Sequence, residues 1–201
     1  PFFMEGADFF RTRLSAVYTR VVRDPSWGVK LSGKNNGTTF GAWVAKDETT
    51  NLLLPGTQSS DGTTLDSDST DAVVRYKRDL GNRLTLGALA TDREGTDYYN
   101  RVLGVDGDIR ISDKDRLGLQ LLGSATQYPG SVATDFGLPE GELRDWAGEV
   151  GYERTSRHID AWATYRRVGK DFRADLGFIP QVGYGFADAG AGYSWIPTPG
   201  A

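Results

Sequence analysis

Carboxylates dominate the groups able to do chemistry. The 201 residues hold 27 Asp plus Glu, one histidine and no cysteine. Without cysteine there is no thiol nucleophile, disulfide framework or Cys-ligated zinc. The single imidazole, His158, sits in a turn-like stretch beside Arg157 and reads as a surface residue, so neither a multi-His metal site nor a Ser-His-Asp arrangement can be assembled. Paired acids remain. Asp145, Glu149 and Glu153 fall on one face of a strand pattern, with Asp160 as a neighbour. Glycoside hydrolysis needs two carboxyls about 5–5.5 Å or about 6.5–9.5 Å apart. Same-face neighbours on a strand are roughly 6.5–7 Å apart, so the spacing permits that chemistry. The competing account is a solvated wall whose acids pair with Arg166 and lysines. Nothing in the pattern separates the proton affinities of two of these acids, so no catalytic residue is expected and the chain reads as a non-enzyme.

Other candidates concern binding. The stretch 61–71 carries Asp61, Asp66, Asp68 and Asp71. Asp66, Asp68 and Asp71 on an outside loop could take Ca²⁺ through oxygens. The stretch lacks the glycine and terminal glutamate of an EF-hand loop, and its Ser, Thr and Gly content equally suits plain disorder. Trp43 and Trp162 fall on the more polar faces of their strands, where an aromatic facing a lumen can stack on a sugar ring or pack against an internal segment. Arg75, Glu149 and Arg166 put charge on the same inward-facing positions, and with the two tryptophans they form the candidate ligand-binding set.

The elements that must position these groups are strands. Alternation with period two recurs in about ten runs, and no stretch of useful length carries a helical stripe. Runs include Leu14, Ala16, Tyr18; Trp27, Val29, Leu31; Leu84, Leu86, Ala88, Ala90; Leu117, Leu119, Leu121; and Ile159, Ala161, Ala163, Tyr165. Residues 184–195 are rich in Gly and Ala and alternate poorly. Alternate connections are short and turn-like, at 35–37, 79–82, 112–115 and 155–157. The intervening ones are long, at 46–70, 92–98, 127–143 and 168–182; only 23–26 is brief. In an up-and-down meander the two sets lie at opposite ends, the asymmetry of outer-membrane barrels. Several runs last roughly 9–11 residues, enough for a tilted strand to cross a bilayer. Trp27, Tyr76, Trp146, Tyr152 and Tyr165 fall near run ends on the apolar face, as in an aromatic girdle. The expected fold class is therefore all-β, an antiparallel meander of about ten strands forming part or all of an outer-membrane-type barrel. Leu86, Leu119, Val150 and Ala161 are expected to face lipid, and Arg75, Arg116, Glu149 and Arg166 the interior. No window of 18 apolar residues exists, and the net charge of −4 argues against nucleic acid as a partner. A soluble antiparallel domain that binds or processes carbohydrate would share the alternation and stays open as the alternative.

The opening Pro1-Phe2-Phe3-Met4-Glu5-Gly6-Ala7-Asp8, with Trp27-Gly28-Val29-Lys30-Leu31-Ser32-Gly33-Lys34, Asn100-Arg101-Val102-Leu103-Gly104-Val105-Asp106 and Asp175-Leu176-Gly177-Phe178, resembles a family of bacterial envelope proteins. In that family an N-terminal domain similar to family 9 carbohydrate-binding modules precedes a C-terminal β-barrel region of unassigned function. The resemblance spans nearly the whole chain. It implies that residues 1–12 are a linking segment from the N-terminal domain and that 13–201 are part of the barrel. It also implies a location in the bacterial outer membrane, the lipid bilayer as a partner, and a role in passage, export or display of a glycan-type ligand. The family has no established catalytic residue or cofactor in this region, so none is carried over. Pro197 and Pro199 follow the weak run at 183–195, and that edge is expected to meet the rest of a longer parent or a second chain.

Overall fold

A computed structural model describes residues 7–195. The chain forms β1 (Pro25–Asn35), β2 (Thr38–Asp47), β3 (Thr50–Pro55), β4 (Ser60–Leu65), β5 (Ser69–Leu80), β6 (Leu84–Gly95), β7 (Tyr98–Arg110), β8 (Asp115–Gln127), β9 (Leu143–Thr155), β10 (Ile159–Val168) and β11 (Tyr184–Tyr193). Nine of these make one antiparallel sheet in the order β1-β2-β5-β6-β7-β8-β9-β10-β11. The remaining two, β3 and β4, are a hairpin inserted between β2 and β5. Among the described residues helical structure is confined to α1 (Gly130–Asp135) and to 3-10 turns at Ala7–Phe10 and Thr19–Val21. The fold is thus the expected all-β meander.

Four local expectations are corrected. Residues 92–98 are not a long loop: β6 runs to Gly95 and β7 starts at Tyr98, with Asp97 at φ 53 in the tight turn between them. Residues 46–70 hold the β3–β4 hairpin in place of a disordered loop. Residues 13–22 alternate but pair with no strand, and 168–182 do not project outward. Both of these last segments run inside the curl of the sheet. Leu14 N–H donates to Gln120 Oε1 of β8 at 2.7 Å, and Arg173 N–H to Ser124 Oγ at 3.1 Å. The two segments also bond to each other, Tyr18 N–H to the Leu176 carbonyl and Phe178 N–H to that of Ser15, both at 2.7 Å. Alternation there reflects burial against the sheet wall, which a sequence pattern cannot distinguish from pairing.

Register fixes the faces. In β5 through β9 the inward positions carry Arg75, Leu89, Val102, Leu122 and Ala147, all buried. They pack on Phe10, Leu14, Ala16, Phe172, Leu176 and Val182 of the internal segments. Each fully buried Leu or Phe contributes about 1.5–3 kcal/mol. Close approach dictates small residues here. A Cβ on Gly41 of β2 would lie 2.9 Å from the Phe10 ring, and the Arg13 guanidinium occupies the place of a Cβ on Gly118.

The opposite face is apolar and uncovered. Leu103 is 70% exposed, and Val29, Leu31, Val105 and Leu121 are all more than half exposed. On β9 the outward row reads Arg144, Trp146, Gly148, Val150, Tyr152, Arg154. Ten residue steps of about 3.4 Å, tilted by about 40°, rise roughly 26 Å between the two arginines, close to the apolar band of a membrane barrel. Leu86, Leu119, Val150 and Ala161 all lie on this face, as expected. Arg167 is the departure: it faces outward on β10, and its guanidinium lies 5.1 Å from the Trp146 ring centroid. Among the described residues β1 and β11 do not pair, so both sheet edges are open.

Candidate ligand-binding vestibule

The interior divides into three levels along the strands. At the long-loop end a second apolar core joins Leu52 and Leu54 of β3 to Tyr98, Tyr128, Val132 and Leu143. Two polar knots lie beneath it. Arg93 is fully buried with Asp47 and Asp71. Its Nε lies 3.2 Å from Asp71 Oδ1, its Nη2 lies 3.6 Å from Asp47 Oδ2, and its Nη1 donates to the Asn51 carbonyl at 2.9 Å. Asp47 also accepts the backbone N–H of Asp24 at 2.8 Å. Arg93 therefore ties together β2, β3, β5 and β6. In the second knot, Asp175 accepts hydrogen bonds from the hydroxyls of Tyr98 at 2.7 Å and Tyr128 at 3.0 Å. Burial raises the Asp175 carboxyl above its ordinary range, against the pull of those hydroxyls.

The middle level holds charge in closed pairs. Arg75 makes a bidentate contact with Asp106 at 2.5 and 2.8 Å. Arg166 binds Glu149 through Nε at 2.7 Å and Nη2 at 2.6 Å. Arg13 of the internal segment lies 3.8 Å from the same Glu149 and 2.9 Å from Asp108.

The short-turn end is different. A cavity of about 810 Å³ opens there, floored by Arg13 and walled by the ends of β6 to β10. Across the wall the inward residues lie directly opposite one another in a row. The Arg110 N–H donates to the Arg83 carbonyl, Arg110 is the Cα partner of Arg116, Arg116 of Glu153, and Glu153 of Trp162. Arg83, Arg110 and Arg116 form no ion pair or side-chain hydrogen bond among the described residues, and neither do Glu153 and Asp160. The wall thus offers free guanidinium groups on one side and free carboxylates beside an indole on the other.

The structure separates the expected site residues. Trp162 lines this cavity, and its Nε1 donates to Asp188 Oδ2 at 2.8 Å. Trp43 instead packs in the interior core, only 2% exposed. Arg75, Glu149 and Arg166 do face inward, but they are spent on one another's level as pairs. Arg116 faces inward too, at the rim. Asp145, Glu149 and Glu153 share the inward face; Asp145 accepts the Asp171 N–H at 3.1 Å. Asp66, Asp68 and Asp71 do not come together. Asp68 is exposed, with Lys46 at 2.5 Å, a hydrogen bond that holds its carboxyl below the usual range, whereas Asp71 points into the interior toward Arg93. Among the described residues no group of three or more His, Cys, Asp or Glu could hold a metal ion. His158 lies at the β9–β10 turn, 3.0 Å from the Ser194 carbonyl.

Sequence reasoning missed the arginine row and the Arg93 knot. The row had a usable signal: Arg110 and Arg116 are each three residues from Asp113 at the turn, a spacing at which the hairpin sets them opposite each other. The knot had none, since it joins residues from four strands. No protein-family model and no curated protein matches the sequence. Among solved structures the chain resembles the outer-membrane expressed OmpT of Vibrio cholerae, at 12% identity and TM-score 0.46, over 83% of this chain and 55% of that one. The chain therefore spans little more than half the length of that protein. The similarity is one of shape alone.

Proposed function

We propose that the chain is a non-enzymatic wall of a bacterial outer-membrane β-barrel that holds or displays a glycan-type ligand at its short-turn end. The observation that carries the membrane assignment is the outer face: apolar side chains stand uncovered there, while Arg75, Arg93, Asp47 and Asp71 are buried inside beside an apolar core. A soluble barrel places its apolar face inward, so the soluble alternative leaves this outer surface without a reason. Short turns lie on the periplasmic side in such barrels, which puts the vestibule there. Display is favoured over free passage because Leu14, Phe172 and Leu176 fill the middle of the interior. The glycan class comes from the family resemblance. The non-enzymatic reading is supported by the pairing of Asp106 with Arg75 and of Glu149 with Arg166, which occupies the acids of the middle level. The edges at β1 and β11 carry unpaired backbone groups, which favours cover by further strands of a longer parent or by a second chain.

Because the chain has no cysteine, single thiols can be placed cleanly. Leu119→Cys and Arg116→Cys, labelled with an environment-sensitive fluorophore, are reconstituted in phosphatidylcholine–phosphatidylglycerol vesicles containing spin-labelled acyl chains. Quenching at position 119 but not at 116 is expected. Equal quenching at both, or none at 119, would remove the membrane assignment.

A further inference from the structure

We infer that the short-turn vestibule binds an anionic saccharide, with the acidic group on Arg110 and Arg116 and a sugar ring on Trp162. This deepens the glycan reading above and rests on it for the saccharide class. The first observation is the arginine row. Like charges directly opposite on neighbouring strands destabilise a sheet. Arg83 in the turn before β6, Arg110 on β7 and Arg116 on β8 nonetheless stand in one line, with no acid bound to any of them among the described residues. Every inward arginine deeper in the molecule is bound to a carboxylate or carbonyl, whereas the three of the row are bound to none, although Glu153 stands opposite Arg116. Guanidinium forks match carboxylate, sulfate and phosphate groups in two-point contact.

The second observation is the state of Trp162. Its Nε1–H bond to Asp188 fixes the indole, and the ring lies over Gly190, where a Cβ would come within 2.2 Å of it. One face thus rests on backbone, while the residue is still 48% exposed toward the cavity. A held aromatic plane with one free face suits the C–H face of a pyranose, being apolar in body and polar at its tip. The third is spacing. Arg116 and Trp162 flank Glu153 across two strand intervals, about 9.6 Å. That is the span of one to two sugar units, and the free carboxylates of Glu153 and Asp160 accept hydroxyl hydrogens between them. The cavity of about 810 Å³ falls within the range of small-molecule sites. Arg13, bound to Asp108, lines its inner side.

The test is calorimetric titration of the folded full chain in detergent with trigalacturonate, with neutral galactotriose and with inorganic phosphate. Saturable binding of trigalacturonate is expected, at least about tenfold tighter than of either other probe. The double variant Arg110→Gln/Arg116→Gln is expected to weaken it about tenfold or more and to flatten its salt dependence. Trp162→Ala is expected to weaken it about tenfold while leaving phosphate binding unchanged. These positions are at the exposed rim; retention of β-sheet circular dichroism verifies that the variants fold. No binding of trigalacturonate, equal binding of the neutral trisaccharide, phosphate binding as tight as the uronide, or affinity untouched by both variants would overturn the inference. Uronide binding in detergent without lipid quenching at position 119 would remove the membrane assignment alone; quenching without uronide binding would remove this inference alone.

Discussion

The two ends of the interior treat charge in opposite ways. At the long-loop end Arg93, Asp47 and Asp71 have no solvent at all and are bound to one another, to the Asn51 carbonyl and to the backbone of residues 23 and 24. At the short-turn end the side chains of Arg83, Arg110 and Arg116 are exposed and have no ion pair or hydrogen bond among the described residues. Buried ions must be paired, because desolvation costs several kcal/mol each. Exposed ones are under no such demand. The first end is therefore built to hold the molecule together, and the second is free to meet something else.

The largest expected effect falls on the buried knot. Arg93→Met leaves Asp47 and Asp71 as uncompensated buried carboxylates and is expected to cost about 3–5 kcal/mol. Urea titration of the detergent-folded protein measures it; a loss below that of an ordinary surface substitution would mean that the knot is not structural. Next comes the outer face. Leu119→Arg is expected to cost about 2–4 kcal/mol in lipid vesicles, the cost of a charge near the bilayer centre. Gln120, the inward neighbour, is unsuited as a control, because its side chain is 3% exposed and accepts the Leu14 N–H. Rim position Thr85 replaces it: Thr85→Arg is expected to cost far less in the same folding assay. Equal losses at 85 and 119 would erase the distinction between the faces.

A third test probes how tightly the internal segment is seated. Gly41→Ala pushes a methyl to within 2.9 Å of the Phe10 ring and is expected to cost about 1–3 kcal/mol. An unchanged unfolding midpoint would mean that residues 8–10 leave the wall readily. The smallest effect is expected at the rim. Arg116→Gln should shift stability by no more than about 0.5 kcal/mol, because it removes both a like charge opposite Arg110 and an opposite charge across from Glu153. A loss of 2 kcal/mol or more, on the order of a broken buried contact, would assign the row a structural role and blur the contrast between the ends.

Alternation alone determined much of this protein. Side chains on a strand switch faces at every residue, so Leu86, Leu119 and Val150 had to lie together, and Arg75, Glu149 and Arg166 on the other side. Asn36 and Gly37, with φ of 46° and 72°, announced their hairpin because few other residues tolerate that backbone. The all-β meander and the sidedness of most connections were legible for the same local reasons. What surrounds each face was not. The run Leu14, Ala16, Tyr18 has strand periodicity, yet it is an internal filler, because burial against a wall imposes the same alternation as pairing does. Nor could local pattern say that Trp43 packs inside while Trp162 stands free in a cavity, although both occupy inward positions. Depth along the barrel axis separates them, and depth follows from the register of all nine strands together. The same holds for Arg93, whose partners come from β2, β3 and β5. Periodicity is a property of neighbours in the chain, whereas the partners of a buried charge are chosen by which distant strands the register of the sheet brings alongside it.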